Sequence, residues 1–380
     1  MQAGQARLKS TLYQQTHVPD SPDSPDSAAD WQTAELPTNL KWSYVTRNVP
    51  TSAIAGVEVR ADCAPRPGDV VCVKVKKIGN QARIQMRDGR RSLMYVGDTL
   101  MVVYGHRYAP DQYEAEVPPD CGPCDLVACG GIASGVISKH STRKIATRIE
   151  PLGYAVDAQG EVLNIRSFSI ESITPAGTGD KPVLGVVGTS MNAGKTTTVA
   201  ALVKGLERAG LGVAAIKVTG TGAGNDMWAY ADAGARLTLD FTDAGFASTY
   251  KLSASEIENC FERLVAAAQA RADIDCIVVE IADGLLHPET ADLVTADSFQ
   301  SRCCGLLFAA GEAMGAVAGA QWLQQHRLPV LAISGVVSAS ALATAETERG
   351  SGLPVITKRK LESPAIGRQL LPRTELACHA

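Results

Sequence analysis

The stretch Val183-Leu-Gly-Val-Val-Gly-Thr-Ser-Met-Asn-Ala-Gly-Lys-Thr-Thr-Thr198 constrains this chain more than any other. An apolar run of strand character leads into a glycine-rich turn ending in Gly194-Lys195-Thr196, and Val199 to Arg208 follows with a helical pattern. Strand, loop and helix N-terminus in that order suit a phosphate. Backbone N–H groups wrap its oxygens, and the helix dipole adds positive potential. In such a loop Lys195 pairs with the outer phosphates and the Thr196 hydroxyl takes Mg²⁺. The expected nucleotide contacts are Gly188, Thr189, Asn192, Ala193, Gly194, Lys195, Thr196 and Thr197. The spacing departs from the usual G-x4-G-K-[ST], because Gly188 stands one residue early and Thr189 holds the first glycine's place.

Downstream the texture alternates between strand and helix. Apolar runs at Gly212–Ile216, Cys276–Glu280, Cys304–Phe308 and Val330–Ile333 read as further strands, with helical stretches around 199–209, 226–236, 254–271 and 313–326. That alternation predicts an α/β domain over 181–372 with a mostly parallel sheet and helices on both faces. Upstream, short β-type runs such as Asp69–Val75 and Thr99–Tyr104 are separated by Pro67-Gly68, Gly79-Asn80, Asp88-Gly89 and Gly97-Asp98. They predict a β-rich domain over 43–173, barrel-like or a sandwich, with a last strand at Gly160–Ile165. The repeat Pro19-Asp-Ser-Pro-Asp-Ser-Pro-Asp-Ser27 predicts a disordered tail over 1–42, and Thr174–Asp180 reads as the linker.

Bulk numbers narrow the function classes. With 380 residues, two cores are affordable. A net charge of −4 gives no reason to expect nucleic acid or an anionic membrane as partner. No apolar run reaches the roughly 20 residues of a membrane helix, and the start lacks a basic-then-apolar signal pattern, so a cytoplasmic protein is expected. In a reducing compartment the ten cysteines are expected as free thiols.

Polar residues gather where the predicted strands end, which is where ligands of such sheets bind. Lys217-Val-Thr-Gly-Thr-Gly-Ala-Gly-Asn-Asp226 follows the second strand. Lys217 either binds a second anion or neutralises charge developing during transfer, or it snorkels to solvent. Asp226 is either a helix cap or a Mg²⁺ ligand. The third strand ends in Glu280, with Asp283 just beyond, and carboxylates there hold Mg²⁺ or its water in phosphoryl-transfer sites. The candidate metal set is therefore Thr196, Glu280 and Asp226, and the candidate catalytic set Lys195, Lys217 and Glu280. His287 is a base, a substrate contact or a structural loop residue.

The loop from Gly188 to Thr196 resembles that of the dethiobiotin synthetase group of P-loop enzymes, Gly-Thr-x-x-x-x-Gly-Lys-Thr. Lys217-Val-Thr-Gly-Thr221-Gly222 and Val279-Glu-Ile-Ala-Asp-Gly284 resemble that group's next two strand-end signatures. Asp226–Ala235 is similar to a segment of molybdopterin-guanine dinucleotide biosynthesis protein B, without its serine and histidine. Val279-Glu-Ile-Ala-Asp-Gly-Leu-Leu-His-Pro288 resembles a segment of D-glutamate N-acetyltransferase-like proteins. These resemblances span about 181–357. They imply ATP and Mg²⁺ as cofactors, Lys195 and Thr196 on the phosphates and metal, Glu280 on the metal and Lys217 on the reacting anion. Ser190 stands where the synthetases keep an aspartate and where partition-type ATPases keep an extra lysine. The first departure leaves the phosphate acceptor open, and the second argues against a dimerising partition ATPase.

Two weaker signals remain. Cys121-Gly-Pro-Cys124 and Cys129 look like half a zinc site without a second pair, so thiols are the expected reading. Lys74, Lys76, Lys77, Arg83, Arg87, Arg90 and Arg91 give the β-rich segment a basic face, either solvated or docking an anionic substrate. Together these features predict a Mg-ATP-dependent biosynthetic enzyme that activates a carboxylate or carbamate on a small anionic substrate, as a homo-oligomer. The alternatives are an N-acyltransferase that uses the loop for acyl-CoA phosphates, and a nucleotide-binding accessory protein.

Overall fold

A computed structural model describes residues 36–372, apart from 38, 61–62 and 172–180. The expected tail up to residue 35 and the linker Thr174–Asp180 lie outside the described residues. Nine strands form the first sheet: β1 (Lys41–Trp42), β2 (Gly56–Glu58), β3 (Val70–Lys77), β6 (Thr99–Tyr104), β7 (Arg107–Tyr108), β8 (Tyr113–Glu116), β9 (Cys124–Ala128), β10 (Ile132–Lys139) and β11 (Thr147–Val156). A separate hairpin consists of β4 (Arg83–Gln85) and β5 (Arg91–Leu93).

The ladders β3–β6, β6–β10, β10–β9, β9–β11 and β11–β3 close a ring of five strands, the barrel that the short alternating runs predict. Side chains alternate across a strand, and this alternation divides the barrel residues between two cores. Val71, Val73, Val75, Leu100, Val102, Tyr104, Leu126 and Ile149 belong to one core. The opposite phase, Val70, Cys72, Met101 and Val103, joins a second core that runs on into Leu184, Val199, Leu202 and Tyr230 of the α/β layer. Barrel and α/β layer therefore share buried apolar surface within one compact unit. The chain enters the first sheet at β1, just before the expected start at residue 43.

The second sheet has six strands in the order β14-β13-β15-β12-β16-β17, all paired in parallel. They are β12 (Val183–Gly188), β13 (Val213–Lys217), β14 (Leu237–Asp240), β15 (Cys276–Glu280), β16 (Cys303–Ala309) and β17 (Val330–Ser334). Parallel strands covered on both faces need unbroken apolar runs, and every residue of β12 and β15 is buried. One face carries α1 (Lys195–Arg208) and α2 (Asn225–Asp232). The other carries α3 (Ala254–Gln269), α4 (Pro288–Thr295), α5 (Asp297–Arg302) and α6 (Ala313–Gln325). The crossover from β15 to β16 steps over β12, so the carboxyl end of β12 is a topological switch point.

Three local expectations change. Gly160–Ile165 is not a strand: it makes only single bridges, Val156 to Val162 and Asp69 to Asn164, and Asn164 then caps a 3-10 turn. The helix expected to 236 ends at Asp232, because Gly234 adopts φ 100°, the left-handed conformation that stops helices. Helix α1 begins four residues before its apolar pattern, at Lys195 itself.

Candidate functional site

The loop between β12 and α1 is shaped by its backbone. Asn192 at φ 63° and Gly194 at φ 100° both sit in the left-handed region, which Gly adopts freely and Asn tolerates. Gly194 is the N-cap of α1, and a Cβ there would lie 3.0 Å from Gly335 Cα. Thr189 N–H donates to Ala309 O at 3.0 Å and ties the loop to β16. The first bond from the end of α1 is Thr198 N–H to Gly194 O at 2.9 Å. That leaves the N–H groups of Lys195, Thr196 and Thr197 as helix-terminal donors, which an anion satisfies. Lys195 is only 6% exposed, and its Nζ donates to Ser190 O at 2.8 Å and Asp283 O at 2.6 Å. Burial lowers its pKa, against the pull of Glu280 and Asp283.

Glu280 ends β15 with 1% exposure, in register with Val186 on one side and Lys217 on the other. The Thr196 hydroxyl and Lys217 Nζ each lie 3.5 Å from Glu280 Oε1, while Tyr230 OH donates to Oε2. Lys217 Nζ also pairs with Asp226 Oδ2. The side chain of Lys217 is 13% exposed, so it does not snorkel to solvent. Burial alone would lower its pKa, but Glu280 and Asp226 together raise it. Asp226 lies in the first turn of α2, whose N-cap is Gly224, so the capping alternative falls away. Tyr230, one helical turn after Asp226, was not singled out in the sequence. The i, i+4 spacing of an acid and a tyrosine beside the loop is the signal that marks it.

Asp283 adopts φ 63°, and its carboxyl is raised by burial against the pull of His287, Lys195 and Lys217. The next residue, Gly284, packs so closely that a Cβ would lie 2.3 Å from Thr189 O. Gly284→Ala therefore displaces the loop backbone. It is expected to cost about 1–3 kcal/mol of stability and to weaken nucleotide binding, measured by thermal unfolding and calorimetric titration of the same protein.

These groups open onto one cleft of about 820 Å³, whose opposite wall comes from the β-rich layer through Arg83, Arg91, Arg107 and Tyr108. Arg83 and Arg91 belong to the basic face noted in the sequence, whereas Arg107 went unmarked. Val336 also borders the cleft, and Ser334, Ser338 and Lys358 line a neighbouring pocket of about 120 Å³ behind Thr197. His287 is buried beside the cleft. Its Nδ1 lies 2.9 Å from Glu289 Oε2, its ring centroid lies 4.2 Å from that of Tyr108, and its Nε2 has no hydrogen-bond partner. Cys121 and Cys124 lie in the β-rich layer away from the cleft: Cys121 Sγ is 2.8 Å from Tyr154 OH, and burial pushes the Cys124 thiol up to about 12. Cys129 lines the cleft.

The donor set suits a triphosphate and Mg²⁺. Glycines keep the cradle open, helix-terminal amides face it, and a hydroxyl and a carboxylate converge as Mg²⁺ sites require when phosphates and waters complete the shell. Among the described residues no helix is long and apolar enough to cross a membrane.

No curated protein sequence matches this chain. Solved structures similar to part of it include the signal recognition particle 54 kDa protein from Aeropyrum pernix K1 in complex with GDP, at 16% identity and a TM-score of 0.33, covering 51% of this chain and 49% of that one. Chloroplast FtsY from Physcomitrella patens matches at 16% identity and a TM-score of 0.33, covering 49% of this chain and 61% of that one. The receptor FtsY from Elizabethkingia anophelis in complex with GDP matches at 16% identity and a TM-score of 0.30, covering 52% and 56%. The chain thus spans about half to three fifths of these proteins. Residues 183–284 match the model of the family described as molybdopterin guanine dinucleotide synthesis protein B, and with the loop described above they form a P-loop nucleotide-binding domain resembling that family.

Proposed function

We propose that the chain is a Mg²⁺- and nucleoside-triphosphate-dependent enzyme that activates a carboxylate or carbamate of a small anionic substrate by phosphoryl transfer. The observation that carries this reading is the convergence of Lys195, Thr196, Lys217, Asp226 and Glu280 on a cleft with a second, arginine-bearing wall. A domain that only stored a nucleotide would have no use for that wall. Bound nucleotide and Mg²⁺ supply the phosphoryl group and the charge that polarises it. The protein contributes position and electrostatics: the loop amides and Lys195 fix the phosphates, and Thr196 with Glu280 holds the metal. Lys217 pairs with both Glu280 and Asp226 and orients them. The family's name refers to guanine dinucleotide synthesis, so GTP stands beside ATP as the candidate triphosphate.

One observation favours a second reading. The buried His287–Glu289 pair, with Nε2 unpartnered and the tilted ring of Tyr108 packed against it, has the make-up of a general base. That suits an acyltransferase whose loop holds the phosphates of acyl-CoA. Calorimetric titration with ATP, GTP and acetyl-CoA, each with and without Mg²⁺, decides between them. Mg²⁺-dependent binding of a triphosphate is the expected result. Tight acetyl-CoA binding without triphosphate binding replaces the phosphoryl-transfer reading with the acyl-transfer one.

A further inference from the structure

Arg107 is 6% exposed, and its Nε and Nη1 are buried without a hydrogen-bond partner. A buried guanidinium with idle donors is costly, because each lost water contact goes unreplaced. Natural chains seldom keep such a group without a use for it. The nearby charges do not use it up. Asp111 Oδ2 is engaged by Arg143 at 3.5 Å and by Asn192 Nδ2 at 3.4 Å, Asp111 Oδ1 is itself buried without a partner, and among the described residues no carboxylate forms an ion pair with Arg107. The ring of Tyr113 lies 5.7 Å from its Cζ. Burial brings its pKa down to about 10, so it still carries its charge at neutral pH.

Its placement gives the idle donors a direction. Arg107 lines the same cleft as Lys195 and Asp226, on the wall contributed by the β-rich layer. Arg83 and Arg91, from the two strands of one hairpin, line that wall as exposed side chains. Among the described residues that line the cleft, that wall carries no Asp or Glu, and the acids Asp226, Glu280 and Asp283 all lie on the α/β side. The α/β side thus suits a metal and phosphates, and the opposite wall suits a second anion.

We propose that Arg107, flanked by Arg83 and Arg91, is the anchor for an oxyanion group, carboxylate or phosphate, on the molecule that reacts opposite the nucleotide. The planar guanidinium presents parallel donors that match either group in a bidentate pair. Arg83 and Arg91 draw the anion in, and Arg107 fixes its orientation inside the cleft. This inference rests on the cleft being a two-substrate site, and its test is separable from the test of the nucleotide loop.

The experiment compares wild-type protein with Arg107→Met, which keeps the aliphatic stem, and Arg107→Lys, which keeps the charge without the fork. ATP and GTP are titrated first, and that arm tests only the nucleotide reading. Succinate and inorganic phosphate are then titrated into protein whose loop is saturated with a non-hydrolysable triphosphate, or with pyrophosphate if no nucleotide binds. Wild type is expected to bind at least one of the two anions saturably. Arg107→Met should weaken that binding at least tenfold, Arg107→Lys should fall between, and nucleotide affinity should stay within twofold. Binding of succinate alone marks a carboxylate ligand, and binding of phosphate alone a phosphoester. Because the variant loses a buried charge that lacks partners, its melting temperature without ligand should rise by about 2 °C or more. A fall in melting temperature of Arg107→Met would instead mark Arg107 as a structural residue and overturn the proposal. Failure of both anions to bind wild type, or equal binding by Arg107→Met, also overturns it.

Discussion

Lys195→Ala is expected to lower nucleotide-dependent turnover by at least about 10²–10³-fold while the protein stays folded. The lysine sits where the loop opens, 6% exposed, with its ammonium held by the carbonyls of Ser190 and Asp283. Those two carbonyls offset part of the desolvation cost, and among the described residues no carboxylate forms a salt bridge with Nζ. An ammonium kept in such surroundings is ready to trade weak acceptors for phosphate oxygens, an exchange that strengthens as negative charge develops there. Alanine removes that gain. It also removes a buried charge whose burial already lowers its pKa, so the net effect on stability should lie within about 1 kcal/mol. Single-turnover assays with ATP and with GTP, run beside thermal unfolding, check both halves. Unchanged turnover in a folded Lys195→Ala protein would refute the phosphate-loop reading.

The loop was legible because its signals are contiguous. A strand, two residues at positive φ and a helix N-terminus all fall within Val183–Thr198, and local sequence rules apply at that scale. Glu280 was legible for a related reason: an acid closing a fully buried apolar strand needs partners, and it has three in Thr196, Lys217 and Tyr230. Arg107 was not legible. It lies on a two-residue strand with no pattern of its own, and its meaning comes only from standing across a cleft from residues as far on in the chain as Lys195, Asp226 and Glu280. The edge strand β14 was missed because Leu237–Asp240 is only four residues long and carries no continuous apolar run; its Leu-Thr-Leu-Asp alternation is too short to stand out directly after a helix. The closed barrel was foreshadowed by the alternation of β3 and β6. Its closure through the parallel pair β6–β10 depends on a long-range pairing that no local pattern encodes.

The second large effect is expected at Glu280. Its carboxylate is buried between the Thr196 hydroxyl, the Tyr230 hydroxyl and the Lys217 ammonium, and Asp226 completes the chain on the far side of Lys217. Glu280→Gln preserves shape and most hydrogen bonds but removes the charge, leaving Lys217 with Asp226 alone. Breaking a buried ion pair in this way costs about 3–5 kcal/mol, because the surviving partner keeps its desolvation penalty without its compensation. Lys217→Met should cost a comparable amount for the converse reason, since Glu280 and Asp226 then face each other without a cation. In the double variant both buried charges of the pair are gone. Its stability loss should therefore fall short of the sum of the two single losses by about 1–3 kcal/mol of coupling. Metal dependence should not recover in parallel, because the double variant still lacks the carboxylate placed beside Thr196. Denaturant unfolding of the four proteins measures the coupling, and a Mg²⁺ titration of triphosphate binding measures the metal. Additive stability losses would mean that Lys217 and Glu280 do not act as a pair. Recovered Mg²⁺ dependence in the double variant would move the metal from Glu280 to another ligand, with Asp226 the next candidate.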